Sequence, residues 1–234
     1  MDRVDLRPER VGVVIIGIDT SSSLTSIAAI DEAGDVVLSA EHEDARRHAE
    51  VIGPILADLV AAVDRSAVQA IACGVGPGPY TGLRVGIASA IAIGAAWDVP
   101  VHGLCSLDAL AAQVLSEQPG SGAQVASDAR RQELYWAEYD SSGERIAGPR
   151  VRPVADVDEG IVRGAASGVW VARRVLALMR AGASVAHVDV PLDVHGGDTG
   201  ATEAALRGTF LLPPRPLYLR RPDAMVPRHL RAPS

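Results

Sequence analysis

Two aspartates at matching points of the chain are the residues best suited to chemistry. Asp19 ends the apolar run of residues 11–18 and is followed by Thr20 and Ser21, and Asp128 recurs 109 residues later. A carboxylate beside hydroxyls at the end of a strand can hold a hydrated Mg²⁺ and contact phosphate oxygens. These four residues are therefore candidate nucleotide-binding residues. The alternative is a serine-rich turn whose short polar side chains bond their own backbone.

A glycine-rich segment, residues 74–82 (GVGPGPYTG), joins a predicted strand to a predicted helix. Backbone N–H groups at a helix N-terminus attract anions. The segment matches neither G-x-x-x-x-G-K-[ST] nor G-x-G-x-x-G, and its two prolines lack the N–H donor. The pattern favours a tight turn that lets the strand and the helix pack closely over a phosphate-binding loop.

Small residues recur every four positions along the helix predicted at 81–97, at Gly82, Gly86, Ala90 and Gly94. On a helix this spacing forms one smooth stripe that another helix can approach closely. Glycine inside a helix costs about 1 kcal/mol, so a packing contact should offset it. That contact is either another helix of this chain or a helix of a partner.

Composition excludes several kinds of site. The chain contains no lysine, so it has no P-loop lysine and no Schiff-base lysine. Its six histidines show no zinc-binding spacing, and no G-x-S-x-G motif occurs, so we expect no metal and no catalytic triad. Its two cysteines exclude a disulfide framework and indicate buried thiols in the reducing cytoplasm. A net charge of −7 is unusual for a protein that binds nucleic acid by itself.

The 234 residues allow one large or two small domains. Strands and helices alternate as in an α/β protein, and no segment is long enough to span a membrane. Three pairs of residues are separated by the same 109 positions: Asp19 and Asp128, Asp31 and Asp140, and Gly34 and Gly143. This shared spacing predicts a duplicated β-β-β unit. We expect an N-terminal extension (1–12), a first lobe (13–117), a second lobe (118–215) and an Arg- and Pro-rich tail (216–234). Residues 160–210 show no stable period.

Five segments together resemble a known family: IGIDTSSSLTSIAAID, RRHAEVIGPIL, GVGPGPYTGLRVGIASAIAIGAA, ASDARRQELYWAEYD and PLYLRRPDA. They are similar to the TsaB (YeaZ) family, bacterial subunits needed to form threonylcarbamoyladenosine in tRNA. The resemblance covers about residues 19–140 and 216–224. It implies the actin-like ATPase superfamily fold, in which two lobes are built from duplicated RNase H-like units.

The resemblance also implies a role. TsaB is similar to the catalytic subunit TsaD, with which it forms a heterodimer, and TsaE supplies ATPase function. TsaD carries an H-x-x-x-H metal pair where this chain has Ser106 and Leu110. The resemblance therefore implies a cytoplasmic, non-catalytic scaffold that meets tRNA only through the complex. For the subunit alone, a monomer and a homodimer both stay open. No cofactor is expected for this chain. The alternative is that ATP or ADP binds with Mg²⁺ in the complex.

Helices 45–63 and 81–97 would form the partner interface. The residues assigned to it are Ile52, Ile55, Leu59, Gly82, Gly86, Ala90 and Gly94.

Two enzyme hypotheses compete with the scaffold. One is a free-standing actin-fold kinase of a small molecule, using Asp19 and Asp128 with Mg-ATP, although no separate general base is recognisable. The other is a metallopeptidase, against which the missing histidine pair argues.

Overall fold

The computed structural model describes residues 14–44, 46–186, 208 and 210–219. The predicted N-terminal extension and the arginines of the tail, Arg220, Arg221, Arg228 and Arg231, lie outside the described residues. Nine strands and four α-helices are assigned within this part of the chain.

The first sheet contains five strands: β1 (Val14–Asp19), β2 (Leu24–Ile30), β3 (Val36–Glu43), β4 (Val68–Gly74) and β5 (Val101–Leu104). Their order is β3-β2-β1-β4-β5. β2 pairs antiparallel with both β1 and β3, whereas β4 pairs parallel with both β1 and β5. β1 is buried on both faces, because its alternate side chains enter two separate apolar clusters. Ile16 and Ile18 enter one cluster and Ile15 enters the other.

Two helices lie side by side on one face of the first sheet: α1 (His48–Ala62) and α2 (Tyr80–Trp97). α1 covers β2 and β3, and α2 covers β4 and β1. Each helix buries one apolar stripe, represented by Ile52 and Leu59 in α1 and by Leu83 and Ile87 in α2. Burial of such side chains stabilises the fold by about 1.5–3 kcal/mol each.

The second sheet repeats the topology of the first. Its strands are β6 (Ala123–Asp128), β7 (Glu133–Tyr139), β8 (Arg145–Pro153) and β9 (Val162–Arg163), in the order β8-β7-β6-β9. β6–β8 form an antiparallel meander, and β9 runs parallel to β6. The pattern matches β1–β3 followed by β4, which confirms the predicted duplication.

The turn chemistry is duplicated as well. Asp31 and Asp140 each accept hydrogen bonds from the backbone N–H groups two and four residues later, at 2.9–3.1 Å. Gly34 and Gly143 adopt φ values of +86° and +82°, a region that glycine enters without steric cost. The same short polar sequence therefore builds the same hairpin in both lobes.

Two further helices connect the lobes: α3 (Ser106–Glu117) and α4 (Gly168–Arg180). α3 packs on β6, whereas α4 lies in the segment assigned to the second lobe but packs against β1, β2 and β4 of the first sheet. The approach is close, since a Cβ on Gly17 would lie 1.9 Å from the Gly168 carbonyl oxygen. Ser26 Oγ also accepts a hydrogen bond from Gly168 N–H at 2.9 Å. The two lobes are thus joined by helix packing as well as by the chain.

A buried ion pair ties α3 to the second sheet. Arg145 Nη1 lies 2.5 Å from Asp108 Oδ1, and Tyr139 Oη donates to the same oxygen at 2.6 Å. Each of the three residues is no more than 2% exposed. Burial raises the pKa of Asp108, while Arg145 and the Tyr139 hydroxyl act in the opposite direction. Removing one member of such a pair usually costs several kcal/mol.

The C-terminal strap, residues 210–219, returns to the first lobe. Leu212 and Gly103 exchange two backbone hydrogen bonds of 2.7 and 2.8 Å along the edge of β5, and Leu217 N–H donates to the Val75 carbonyl at 2.7 Å. Leu217 and Leu219 are buried. The first part of the predicted tail is therefore packed on the body of the protein. In the ranges described, no helix is long and apolar enough to cross a bilayer.

Candidate functional site

The turn after β1 is closed inside the protein. Asp19, Thr20 and Ser21 are 0%, 1% and 3% exposed. Asp19 Oδ1 accepts hydrogen bonds from the Ser21 N–H at 2.8 Å and the Ser21 hydroxyl at 2.7 Å, and Oδ2 accepts one from the Ser106 hydroxyl at 2.7 Å. Both carboxylate oxygens therefore bond groups of the same chain.

Four glycines enclose this turn, and we call them the glycine cradle: Gly74, Gly78, Gly82 and Gly86. A Cβ on Gly74 would lie 1.7 Å from Asp19 Oδ2, and one on Gly78 would lie 2.2 Å from the Ser21 carbonyl oxygen. A Cβ on Gly82 would lie 2.5 Å from the Thr20 carbonyl oxygen, and one on Gly86 would lie 2.3 Å from Thr20 Oγ1. The glycine-rich segment thus packs closely against the chain's own turn. The sequence favoured a tight turn over a phosphate-binding loop but did not indicate this contact.

The environment of Asp19 favours its neutral form. Complete burial raises the pKa of this carboxyl, and the donors on Ser21 and Ser106 lower it by less. Desolvation therefore outweighs three hydrogen bonds, because no cation of the described residues compensates for the buried charge.

The four candidate nucleotide-binding residues differ in their exposure to solvent. Asp19, Thr20 and Ser21 are buried, and the Thr20 hydroxyl donates to the Gly82 carbonyl at 2.7 Å. Asp128 is exposed at the end of β6, and its Oδ1 accepts from the Arg130 N–H at 2.8 Å. Of the four, only Asp128 presents its side chain to solvent in this structure. Nucleotide binding stays a prediction.

Ser106 has a role that the sequence analysis missed. Ser106 is the first residue of α3, Cys105 is the N-cap, and no side chain caps this end of the helix. The Ser106 hydroxyl instead bonds Asp19, 87 residues away, and also accepts from the Gly76 N–H at 3.2 Å. No local pattern in the sequence signals such a distant contact.

The small-residue stripe of α2 faces inward. Gly82 and Gly86 contact Thr20, Ala90 is 0% exposed, and a Cβ on Gly94 would lie 2.3 Å from Val101 Cγ2. In α1, Ile52 and Leu59 are buried in the core, and Ile55 is half-buried against it. The assignment of these residues to a partner interface therefore needs correction, because the chain's own atoms already cover nearly all of them.

The opposite sides of α1 and α2 are exposed and carry small or apolar residues. Val60 and Ile91 are 47% and 44% exposed. We define the outer helix face by these two residues with their exposed neighbours: Gly53, Ala57, Val60, Ala61, Ala88, Ile91, Ala92 and Ala95. A smooth apolar face on two adjacent helices suits close packing against helices of another protein.

The two cysteines are unreactive. Cys73 and Cys105 are free and buried, as expected, and burial raises the pKa of each thiol to about 12, so neither forms a nucleophilic thiolate at neutral pH. Within the described residues, no group of three or more His, Cys, Asp or Glu side chains could hold a metal ion.

Two topologically matched lobes, each an antiparallel meander extended by a parallel strand, define a two-lobed α/β protein of the actin-like ATPase type. The TsaD family model, described as tRNA N6-adenosine threonylcarbamoyltransferase, matches residues 37–180. The chain belongs to this family, and within it the chain is TsaB-like.

Three relatives show the extent of the similarity. An uncharacterised protein of Mycobacterium tuberculosis is 39% identical over 90% of this chain and 93% of its own length. The tRNA threonylcarbamoyladenosine biosynthesis protein TsaB of Escherichia coli is 34% identical over 53% of this chain and 54% of its own length. The solved structure of YeaZ from Pseudomonas aeruginosa has a TM-score of 0.61 at 25% identity and covers 72% of this chain and 94% of that structure.

The glycine cradle predicts a position-dependent effect of adding one methyl group. Gly86→Ala should lower the free energy of unfolding by about 1–3 kcal/mol, because its Cβ would overlap Thr20. Gly53→Ala in α1 is the matched control, since no atom lies within 4 Å of its added Cβ. That variant should be neutral or up to about 1 kcal/mol more stable. Urea unfolding measures the stability of both variants. Equal effects of the two substitutions would show that Gly86 is not packed closely against Thr20.

The raised pKa of Asp19 predicts the sign of a pH dependence. Above about pH 4 the unfolded state releases this proton before the folded state does, so Asp19 lowers stability progressively up to its folded pKa. The variant Asp19→Asn does not titrate. The stability of the wild type relative to Asp19→Asn should therefore fall as the pH rises from 4 to 8 in urea unfolding. A relative stability that rises with pH would show that the hydrogen bonds outweigh burial.

Proposed function

We propose that this chain is a non-catalytic subunit that pairs with a TsaD-type catalytic subunit in the threonylcarbamoylation of adenosine in tRNA. The observation that carries the proposal is the contrast between the two sides of α2. Its inner side is filled by the chain's own Asp19–Ser21 turn, and its outer side exposes the small and apolar residues Ala88, Ile91, Ala92 and Ala95. Family membership and the similarity to TsaB support the same pathway.

The environment of the strand-end aspartate supports the non-catalytic part of the proposal. General acid–base or metal-assisted chemistry requires a group that can reach a substrate or an ion. Asp19 is fully buried, with Oδ1 bonded to Ser21 and Oδ2 to Ser106. By the resemblance to the TsaD family, Ser106 stands at one of the two positions where TsaD has metal-binding histidines. The kinase alternative would need Asp19 to face the cleft.

The outer helix face supports pairing. Exposed apolar surface on two adjacent helices favours association, and small side chains allow the helix backbones to approach closely. We propose that the matching helices of the TsaD-type subunit cover this face in the complex. A second copy of this chain is the alternative occupant when the subunit is alone.

The remaining partners follow from charge and family. A net charge of −7 opposes binding to the tRNA backbone, so we propose that tRNA meets this chain only within the complex. A TsaE-type ATPase would supply nucleotide hydrolysis, and any ATP or ADP with Mg²⁺ would bind in the assembly.

Replacement of one exposed alanine tests the proposal. Ala92→Arg places a long charged side chain on the outer helix face and should weaken pairing with the TsaD-type subunit at least about tenfold. Its thermal stability should stay within about 0.5 kcal/mol of the wild type. Formation of the modified nucleoside in a reconstituted reaction should fall in parallel with pairing.

The matched control is Ala177→Arg, which changes an exposed alanine of α4 on the other side of the first sheet. It should pair and support the reaction like the wild type. Unchanged pairing by Ala92→Arg, or robust ATP turnover by the chain alone, would overturn the proposed function.

A further inference from the structure

The C-terminal strap helps to hold the side chain of Arg84 in place on the outer side of α2. Tyr218 of the strap stacks on Tyr80 of α2, with ring centroids 4.9 Å apart and planes inclined by 22°. Arg84 Cζ lies 3.7 Å from the centroid of the Tyr80 ring, and Arg84 Nε donates to the Tyr218 hydroxyl at 3.1 Å. The ring of Tyr80 and the hydroxyl of Tyr218 therefore hold the Arg84 guanidinium in place.

The guanidinium keeps unused hydrogen-bonding capacity. Its Nε bonds Tyr218, while its terminal nitrogens make no hydrogen bond or ion pair to any residue that the structure describes. Arg84 is nevertheless exposed. A guanidinium presents its donors in a planar fork that matches a carboxylate, and an already ordered side chain loses little further entropy on binding.

The position of Arg84 relates this cation to the outer helix face. Arg84 is the only charged residue in the α2 sequence, and Ala88 and Ile91 follow it one and two helical turns later on the same side. A partner packed on Ala88 and Ile91 would therefore also enclose Arg84. An enclosed charge is costly unless the partner supplies an opposite charge.

The charges nearby favour a protein carboxylate over a nucleic-acid phosphate. The adjacent helix α1 exposes Asp58, which would repel a polyanion, whereas its Glu50 is paired with Arg47 at 2.8 Å, and α2 carries no second cation. Binding to a nucleic-acid backbone requires several cations acting together. One fork-shaped cation on an apolar face matches an apolar partner surface that carries one acidic side chain.

We propose that Arg84, held by Tyr80 and Tyr218, is the receptor for an Asp or Glu side chain of the TsaD-type partner and fixes the register in which the two subunits pair. This inference rests on the proposed function, because it assigns chemistry to the partner surface that covers α2. It also gives the strap a role in assembly, since Leu217 and Leu219 anchor Tyr218 beside Arg84.

Variants of Arg84 test the inference. Arg84→Gln should weaken pairing with the TsaD-type subunit at least about 30-fold at low salt, because the partner's carboxylate would lose its counter-charge. The difference from the wild type should shrink as salt is raised. Arg84→Lys should restore only part of the affinity, since an ammonium lacks the planar fork. Tyr218→Phe keeps the stacked ring and removes one hydrogen bond, so it should produce a smaller, few-fold loss.

Controls separate folding from pairing. Arg163→Gln changes an exposed arginine on β9 of the second sheet and should pair like the wild type. Thermal melts of all variants should agree with the wild type. Charge reversal, Arg84→Glu, should abolish pairing, and an Asp→Arg or Glu→Arg variant of the partner should rescue it and identify the acidic residue.

The outcomes distinguish this inference from the proposed function. If Arg84→Gln pairs normally while Ala92→Arg does not, the receptor role is wrong and the proposed function stands. If neither variant affects pairing, both are overturned. If Arg84→Gln pairs normally but its complex retains less tRNA, Arg84 serves a phosphate and the inference is overturned.

Discussion

The fold is organised around the burial of one turn. Asp19, Thr20 and Ser21 lie so close to the glycine cradle that a single methyl group at any of its four positions would overlap them. This contact fixes the end of β1 against the loop after β4 and against α2, and Ser106 extends it to α3. A packed interior tolerates little change in volume, so this region can accept few other residues.

The burial of the Asp19–Ser21 turn determines which surfaces of α1 and α2 can bind another molecule. Because Thr20 occupies the small-residue side of α2, that side cannot receive another molecule. The helix pair therefore offers only its outer helix face, where exposed alanines surround Val60 and Ile91. The same burial removes from solvent the carboxylate that a two-lobed fold of this type would use for chemistry. If the proposed function is correct, the burial of this turn both removes the group needed for catalysis and leaves the outer helix face for a partner.

Much of the architecture is predictable from the sequence because its signals are local. Asp31 with Gly34, and Asp140 with Gly143, specify the same hairpin within five residues, so their shared offset revealed the duplication. Helices predicted at 45–63 and 81–97 are observed at His48–Ala62 and Tyr80–Trp97, since hydrophobic spacing defines a helix but its ends only approximately.

The contacts that define the site are distant in sequence and could not be predicted. The four-residue spacing from Gly82 to Gly94 shows that these residues share one side of α2, but not what that side contacts. Its neighbour Thr20 is 62 residues from Gly82, and Tyr218 is 134 residues from Arg84. Only the folded chain brings these groups together. The residue pattern therefore left the stripe's contact open, the family resemblance assigned it to a partner, and neither indicated the contacts of Arg84.

Hydrogen exchange measured peptide by peptide tests the central claim most directly. The backbone N–H of Ser21 donates to the buried Asp19 carboxylate, so the buried residues 19–21 should exchange slowly in the isolated chain, with no change on adding Mg-ATP. The TsaD-type subunit should add protection in α1 and α2 and leave the turn unchanged. Fast exchange at residues 19–21 that Mg-ATP suppresses would show an open nucleotide site and contradict the account.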